Sequence, residues 1–249
     1  MRNKLIFAAL FLSMLTSGGL AGPDWTEPPG DAGSTPGSAQ NTTGVGPIRL
    51  IVGDLTAVQS RSADAGGDFE DVYRIRICDP RLFCARTSAN FNAQLWLFTD
   101  EGLGVLGNDD GAEGREAAIF PPADDQTQQR IPGPGVYLIA ISGFNNDPIG
   151  IGPLGSGGPI FNQKTPTERS GPDGPGGQFP LMQWTGPGET GSYMIRLEGV
   201  AFADDDCASG DYVQNPCVPA LTEWGAAVCL LALLTGGTLM LGRKPAADE

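Results

Sequence analysis

Period-two alternation dominates the middle of the chain. From Asp71 to Ile77 the apolar Tyr73, Ile75 and Ile77 alternate with Val72, Arg74 and Arg76. From Tyr193 to Glu198 the residues Tyr193, Ile195 and Leu197 alternate with Met194, Arg196 and Glu198. Successive side chains of a strand point to opposite faces, so both segments read as strands, the second with one wet face. Ile48 to Val52 is a further strand-forming run rich in β-branched residues. Gln94 to Phe98 and Val136 to Ile141 are apolar on both faces, which predicts two central strands between packed layers. Gly, Pro, Asn and Asp turns separate these runs, and no amphipathic helix of convincing length interrupts them. The pattern predicts an all-β fold, an antiparallel, jelly-roll-like β-sandwich over residues 47–203. Within it a Gly/Pro-rich loop at 147–191 is long for a connection and reads as an insertion or a surface feature.

The two ends follow a different pattern. Arg2 and Lys4 precede an apolar run from Leu5 to Leu15 and then small residues up to Ala21. That order predicts a secretory signal peptide over 1–21, cut after Ala21 by signal peptidase. Residues 22–46 are Gly, Pro, Ser and Thr with hardly an aliphatic side chain, and a segment so poor in apolar surface is expected to stay a disordered linker. Residues 225–242 carry no charge and are mostly Ala, Leu, Val and Gly, close to the minimum length that spans a bilayer as a transmembrane helix. Arg243 and Lys244 behind it predict a cytoplasmic C-terminus, with Trp224 at the opposite interface. Between sandwich and span lies an acidic stalk bounded by cysteines, residues 204–217.

Composition narrows the function. The net charge of −14 opposes binding to a phosphate backbone, so no nucleic-acid partner is expected. The 249 residues include no His. That removes Ser-His-Asp and Cys-His nucleophiles, two-His zinc motifs and a His general base. Carboxylates are plentiful, but nothing in the sequence builds a glycosidase cleft, and the chain reads as non-enzymatic, with no catalytic residue.

Four of the five cysteines lie outside the expected span, an even number for an exported chain. Sequential pairing, Cys78–Cys84 and Cys207–Cys217, would close one small loop at a strand corner and another just outside the membrane. Acidic residues gather at Asp68, Glu70 and Asp71, at Asn108, Asp109 and Asp110, and at Asp204 to Asp206 with Asp211. Such clusters suit calcium, a hard ion that takes oxygen ligands, although Asn-Asp-Asp-Gly is also what a hairpin turn uses. Among exposed aromatics, Trp184 is the candidate anchor for a ligand, against the alternative of packing over the sandwich edge.

Two resemblances add to this. Val218-Pro219-Ala220-Leu221-Thr222-Glu223-Trp224-Gly225, followed by a span and the pair Arg243-Lys244, resembles the bacterial IPTL-CTERM sorting signal over residues 218–249. The matching positions are Pro219, Leu221, Glu223, Trp224 and Gly225. The likeness implies a tail read by an exosortase-like membrane processing enzyme, with the protein as its cargo. Asp68-Phe69-Glu70-Asp71-Val72-Tyr73, Phe91 to Phe98, Gly107-Asn108-Asp109-Asp110 and Gly133 to Gly143 occur in the order seen in the bacterial pre-peptidase C-terminal (PPC) domain, which they resemble. That likeness implies a small jelly-roll sandwich of the kind that helps secretion or binds surfaces. It also implies a calcium site drawn from Asp68, Asp71, Asn108, Asp109 and Asp110. Together these readings predict an exported, non-enzymatic protein of the cell envelope or cell surface, displaying a β-sandwich for attachment to envelope polysaccharide or matrix. A calcium-dependent carbohydrate-binding module is the alternative.

Overall fold

The computed structural model describes residues 24–28, 31–56, 67–112 and 114–208. The sorting-signal residues Pro219 to Gly225, the pair Arg243 and Lys244, Ala21 and Cys217 lie outside them. Among the described residues there is no α-helix, and none that is long and apolar enough to cross a membrane.

The described chain is all-β. Its first sheet has the order β1 (Asp24–Thr26), β3 (Leu50–Leu55), β13 (Gly191–Glu198), β5 (Cys84–Ala89) and β8 (Ala118–Ile119). Its second has the order β14 (Val200–Phe202), β4 (Glu70–Ile77), β9 (Gly135–Gly143), β6 (Ala93–Thr99) and β7 (Gly104–Asn108), with β2 (Gln40–Asn41) also paired to β4. Most pairings are antiparallel, while β1–β3 and β2–β4 are parallel. Tyr73, Ile75, Ile77, Leu95, Leu97, Ile139 and Ile141 of the second sheet share one buried cluster with Ile51, Tyr193, Ile195 and Leu197 of the first. The sheets therefore pack as a sandwich.

The opposite face of the second sheet is covered as well. Val72, Trp96, Phe98, Leu138 and Ala140 form a second buried cluster with Ala39, Ile160, Phe161 and Leu181. This double cover is why β6 and β9, the strands expected to be central, are apolar on both sides.

The covering layer corrects two expectations. Residues 31–46 are not a free linker but a strap across the second sheet. The strap lacks a core of its own and takes its order from polar anchoring. Arg74 donates to the carbonyls of Ala39 and Pro36, and Trp184 Nε1 donates to Ser34 O at 2.7 Å. The N–H groups of Gly44 and Gly46 bond to Asp204 and Asp205, so the predicted acidic stalk begins as part of the folded body. The stretch 147–191 is likewise more than a loop. It forms a third sheet, β11 (Gly157–Pro159), β10 (Pro148–Ile151) and β12 (Leu181–Trp184), around a short 3₁₀ turn (Pro153–Gly155). Its glycines permit close backbone approach: a Cβ on Gly176 would lie 1.9 Å from the Gly158 carbonyl oxygen.

The disulfide pairing is also corrected. Cys78 is bonded to Cys207, 129 residues away, which rules out both Cys78–Cys84 and Cys207–Cys217. Cys78 follows β4 in the second sheet, whereas Cys84 opens β5 in the first, so the short link between them crosses the sandwich. Antiparallel pairing of Ile77 with Val200 brings the C-terminal segment to Cys78 instead. Cys84 is also disulfide-bonded, with neither of these two.

Candidate functional site

Carboxylates converge at one end of the sandwich. Asp71 belongs to the period-two set of β4 that faces the core, on the same side as Tyr73 and Ile75, and it is fully buried. Its Oδ2 accepts a hydrogen bond from the Tyr193 hydroxyl at 2.5 Å, and the Tyr73 hydroxyl lies 2.5 Å from that of Tyr193. With Tyr193 donating to Asp71, Tyr73 donates to Tyr193, and the relay joins the two sheets.

Glu27, which follows β1 and donates its N–H to Val52 O of β3, and Asp31 at the start of the strap reach the same point. One carboxylate oxygen from each of Glu27, Asp31 and Asp71 lies within 4.8 Å of the others. Glu27 accepts from the Ala32 N–H at 3.0 Å and Asp31 from the Gly33 N–H at 3.2 Å, local bonds that hold the strap turn in place. Gly53 of β3 makes room for the cluster. A Cβ there would meet the Tyr193 hydroxyl at 2.3 Å and Glu27 Oε2 at 2.9 Å.

The electrostatics of this end are one-sided. Burial pushes the Asp68 carboxyl up to about 8, and the charges of Asp31, Glu27 and Glu70 add to it. Asp71 is raised well above the usual carboxylate range, first by burial and then by Asp68 and Glu27. Burial also raises Glu27 and Glu70. Every charged neighbour acting on Asp68 and Asp71 is itself acidic. Asp71 Oδ1 is buried without a hydrogen-bond partner. A buried, unpaired carboxylate oxygen among other carboxylates is stable only if protonated or if a cation meets it. The donor set is all oxygen, which fits calcium. Glu27, Asp31 and Asp71 are the residues that could hold the ion, with Asp68 beside them.

The expected five-residue calcium set therefore divides. Asp68 and Asp71 are at the cluster. Asn108, Asp109 and Asp110 are not, because Asp71, Ile141, Leu95 and Asn108 pair in one row across β4, β9, β6 and β7. Three strand spacings put Asn108 about 14 Å from Asp71. The Asn108 side chain is moreover fully used. Its oxygen accepts from Ala118 N–H at 2.8 Å and its amide donates to the carbonyls of Glu168 and Pro166, which fastens the 147–191 segment to β7. Asp109 is raised to about 6 by burial, then by Asp110 and Asp147, and lines a separate cleft. Trp184 is packed against the second core cluster and bonded to the strap, so packing and not ligand anchoring is its role here. Glu27 and Asp31 were hidden in a segment that reads as linker. The signal for them is Trp25, a large aromatic out of place in a chain with nothing to bury.

Fold and cluster together define a disulfide-bonded, acidic β-sandwich with a partly buried cluster of carboxylates. Comparison with known proteins adds no closer assignment: no protein-family model matches the sequence, and no curated protein and no solved structure match it.

Proposed function

We propose that this is an exported, non-enzymatic protein of the cell envelope or cell surface whose β-sandwich serves attachment. In this reading residues 1–21 direct export and are removed after Ala21. Pro219, Leu221, Glu223, Trp224 and Gly225, with the span 225–242 and Arg243-Lys244, are the IPTL-CTERM-like signal for an exosortase-like enzyme, and the sandwich is PPC-like. The observation that carries export is the Cys78–Cys207 bond, accompanied by an oxidised Cys84. Structural disulfides belong to oxidising compartments outside the cytosol. Deleting residues 1–21 is expected to leave the protein inside the cell with Cys78 and Cys207 open to an alkylating reagent, while the intact chain has both blocked. Full-length protein recovered with both thiols free refutes the reading.

Calcium is part of the same proposal, and the unpartnered Asp71 Oδ1 inside the Glu27–Asp31–Asp71 cluster supports it. The ion would tie the strap to β4 and so make the attachment module calcium-dependent. A melting temperature of the purified protein that is the same in 10 mM calcium and in chelator rejects this part alone.

A further inference from the structure

The 147–191 segment does more than cover the second sheet: between it, β6 and the β9–β10 turn it leaves a cleft of about 330 Å³. That volume is at the small end of the range for ligand pockets. Trp96 and Phe161 line it and stack with ring centroids 5.2 Å apart. Phe144 lines it too and is one of the few large apolar side chains left 38 % exposed.

Two polar side chains in its wall are incompletely bonded. Gln94 is 3 % exposed and its Nε2 donates to Asp147 Oδ1 at 3.0 Å, which fixes the amide and leaves Oε1 as the remaining acceptor. Gln94 Oε1 has no partner, and neither has Oδ1 of Asp109, which is 6 % exposed. Both orphaned atoms accept hydrogen bonds, so a complementary ligand brings donors. Hydroxyl, amide N–H and cationic N–H groups are all such donors, and hydroxyls and ammonium groups represent the neutral and the charged kind. Lys164 in the same wall is offset by Asp109 and Asp147, so charge alone does not choose between them, whereas a sugar adds to its hydroxyls an apolar ring face suited to Phe144.

We propose that this cleft binds a neutral carbohydrate, with its hydroxyls donating to Gln94 Oε1 and Asp109 Oδ1 and a ring face resting on Phe144. The inference rests on the reading of the sandwich as an attachment module and names its ligand class. The carboxylate cluster at Asp71 lines no part of this cleft.

The test is calorimetric titration of the purified, full mature chain with cellohexaose, maltohexaose, chitohexaose and, as the cationic control, spermidine. Saturable binding of at least one hexasaccharide is expected, weakened roughly tenfold by Phe144→Ala and by Asp109→Asn at an unchanged melting temperature. Phe144 is exposed, so its variant keeps the test open should Asp109→Asn fail to fold. Three outcomes overturn the proposal: no hexasaccharide binds, binding survives the substitutions, or spermidine saturates the protein while the sugars do not. A chain that is oxidised and located in the envelope yet binds no sugar loses this ligand assignment and keeps the proposed location.

Discussion

Replacing Asp71 by Asn separates the cost of the carboxylate cluster from its use. Without metal, burial and then Asp68 and Glu27 raise the Asp71 carboxyl well above its ordinary pKa of 3.8, which favours the neutral form toward pH 7.5. Keeping a proton there across that gap costs at most about 5 kcal/mol, at about 1.4 kcal/mol per pH unit. Asn keeps the shape and an acceptor for Tyr193 and needs no proton. It also leaves an amide to be satisfied, so a gain of about 2 kcal/mol is expected. For a domain of this size that raises the melting temperature in chelator by about 4–8 °C. Calcium narrows or cancels that lead. With a dissociation constant of about 0.1–1 mM, 10 mM calcium stabilises the wild type by about 1.4–2.7 kcal/mol and the variant by little. The pH dependence has a definite sign. Asp68, at about 8, and Asp71 have folded pKa values above their unfolded ones, so in chelator stability is full in acid. It is lost as pH rises from the ordinary carboxylate range through about 8. Asp71→Asn flattens that slope by up to one proton. The assay is scanning calorimetry at pH 5, 6.5 and 8, with and without calcium. A variant that melts below wild type in chelator at pH 8 refutes the reasoning.

Other expectations follow from single contacts. Cys78→Ser opens a loop of 129 residues, and loop-closure entropy puts the loss at about 4–5 kcal/mol. A drop in melting temperature of less than 2 °C contradicts that link as a structural bond. Gly53→Ala drives a methyl group into the Tyr193 hydroxyl and toward Glu27. It is expected to cost about 1–3 kcal/mol and to abolish any calcium-induced rise in melting temperature. Trp184→Ala removes the bond to Ser34 and part of the second cluster. It is expected to cost about 2–4 kcal/mol and to speed limited proteolysis within residues 31–46, and an unchanged cleavage rate there contradicts the strap's anchoring.

The strands whose side chains do the burying were legible: β4, β6, β9 and β13 fall where alternation or doubly apolar runs predicted them. β5 was not, because Cys84-Ala85-Arg86-Thr87-Ser88-Ala89 is small and polar and is made a strand by its neighbours β13 and β8. The strap was misread for a related reason. Its order comes from hydrogen bonds supplied by Arg74, Trp184, Asp204 and Asp205, each distant in sequence. Disulfide partners depend on strand order, which local spacing does not encode, and the β14–β4 pairing chose Cys207 for Cys78. Half of the carboxylate site, Asp68 and Asp71, could be read from one short stretch, the start of β4 and the residues just before it. Glu27 arrives through the pairing of β1 with β3, and Asp31 through the strap.

The intact mass of the mature protein, taken without reduction from the native cell envelope and from the medium, tests the central claim most directly. The account predicts a chain that begins at Gly22, ends near the Trp224–Gly225 boundary and carries the Cys78–Cys207 bond. A mass that retains residues 1–21, or that keeps Arg243 and Lys244, contradicts it.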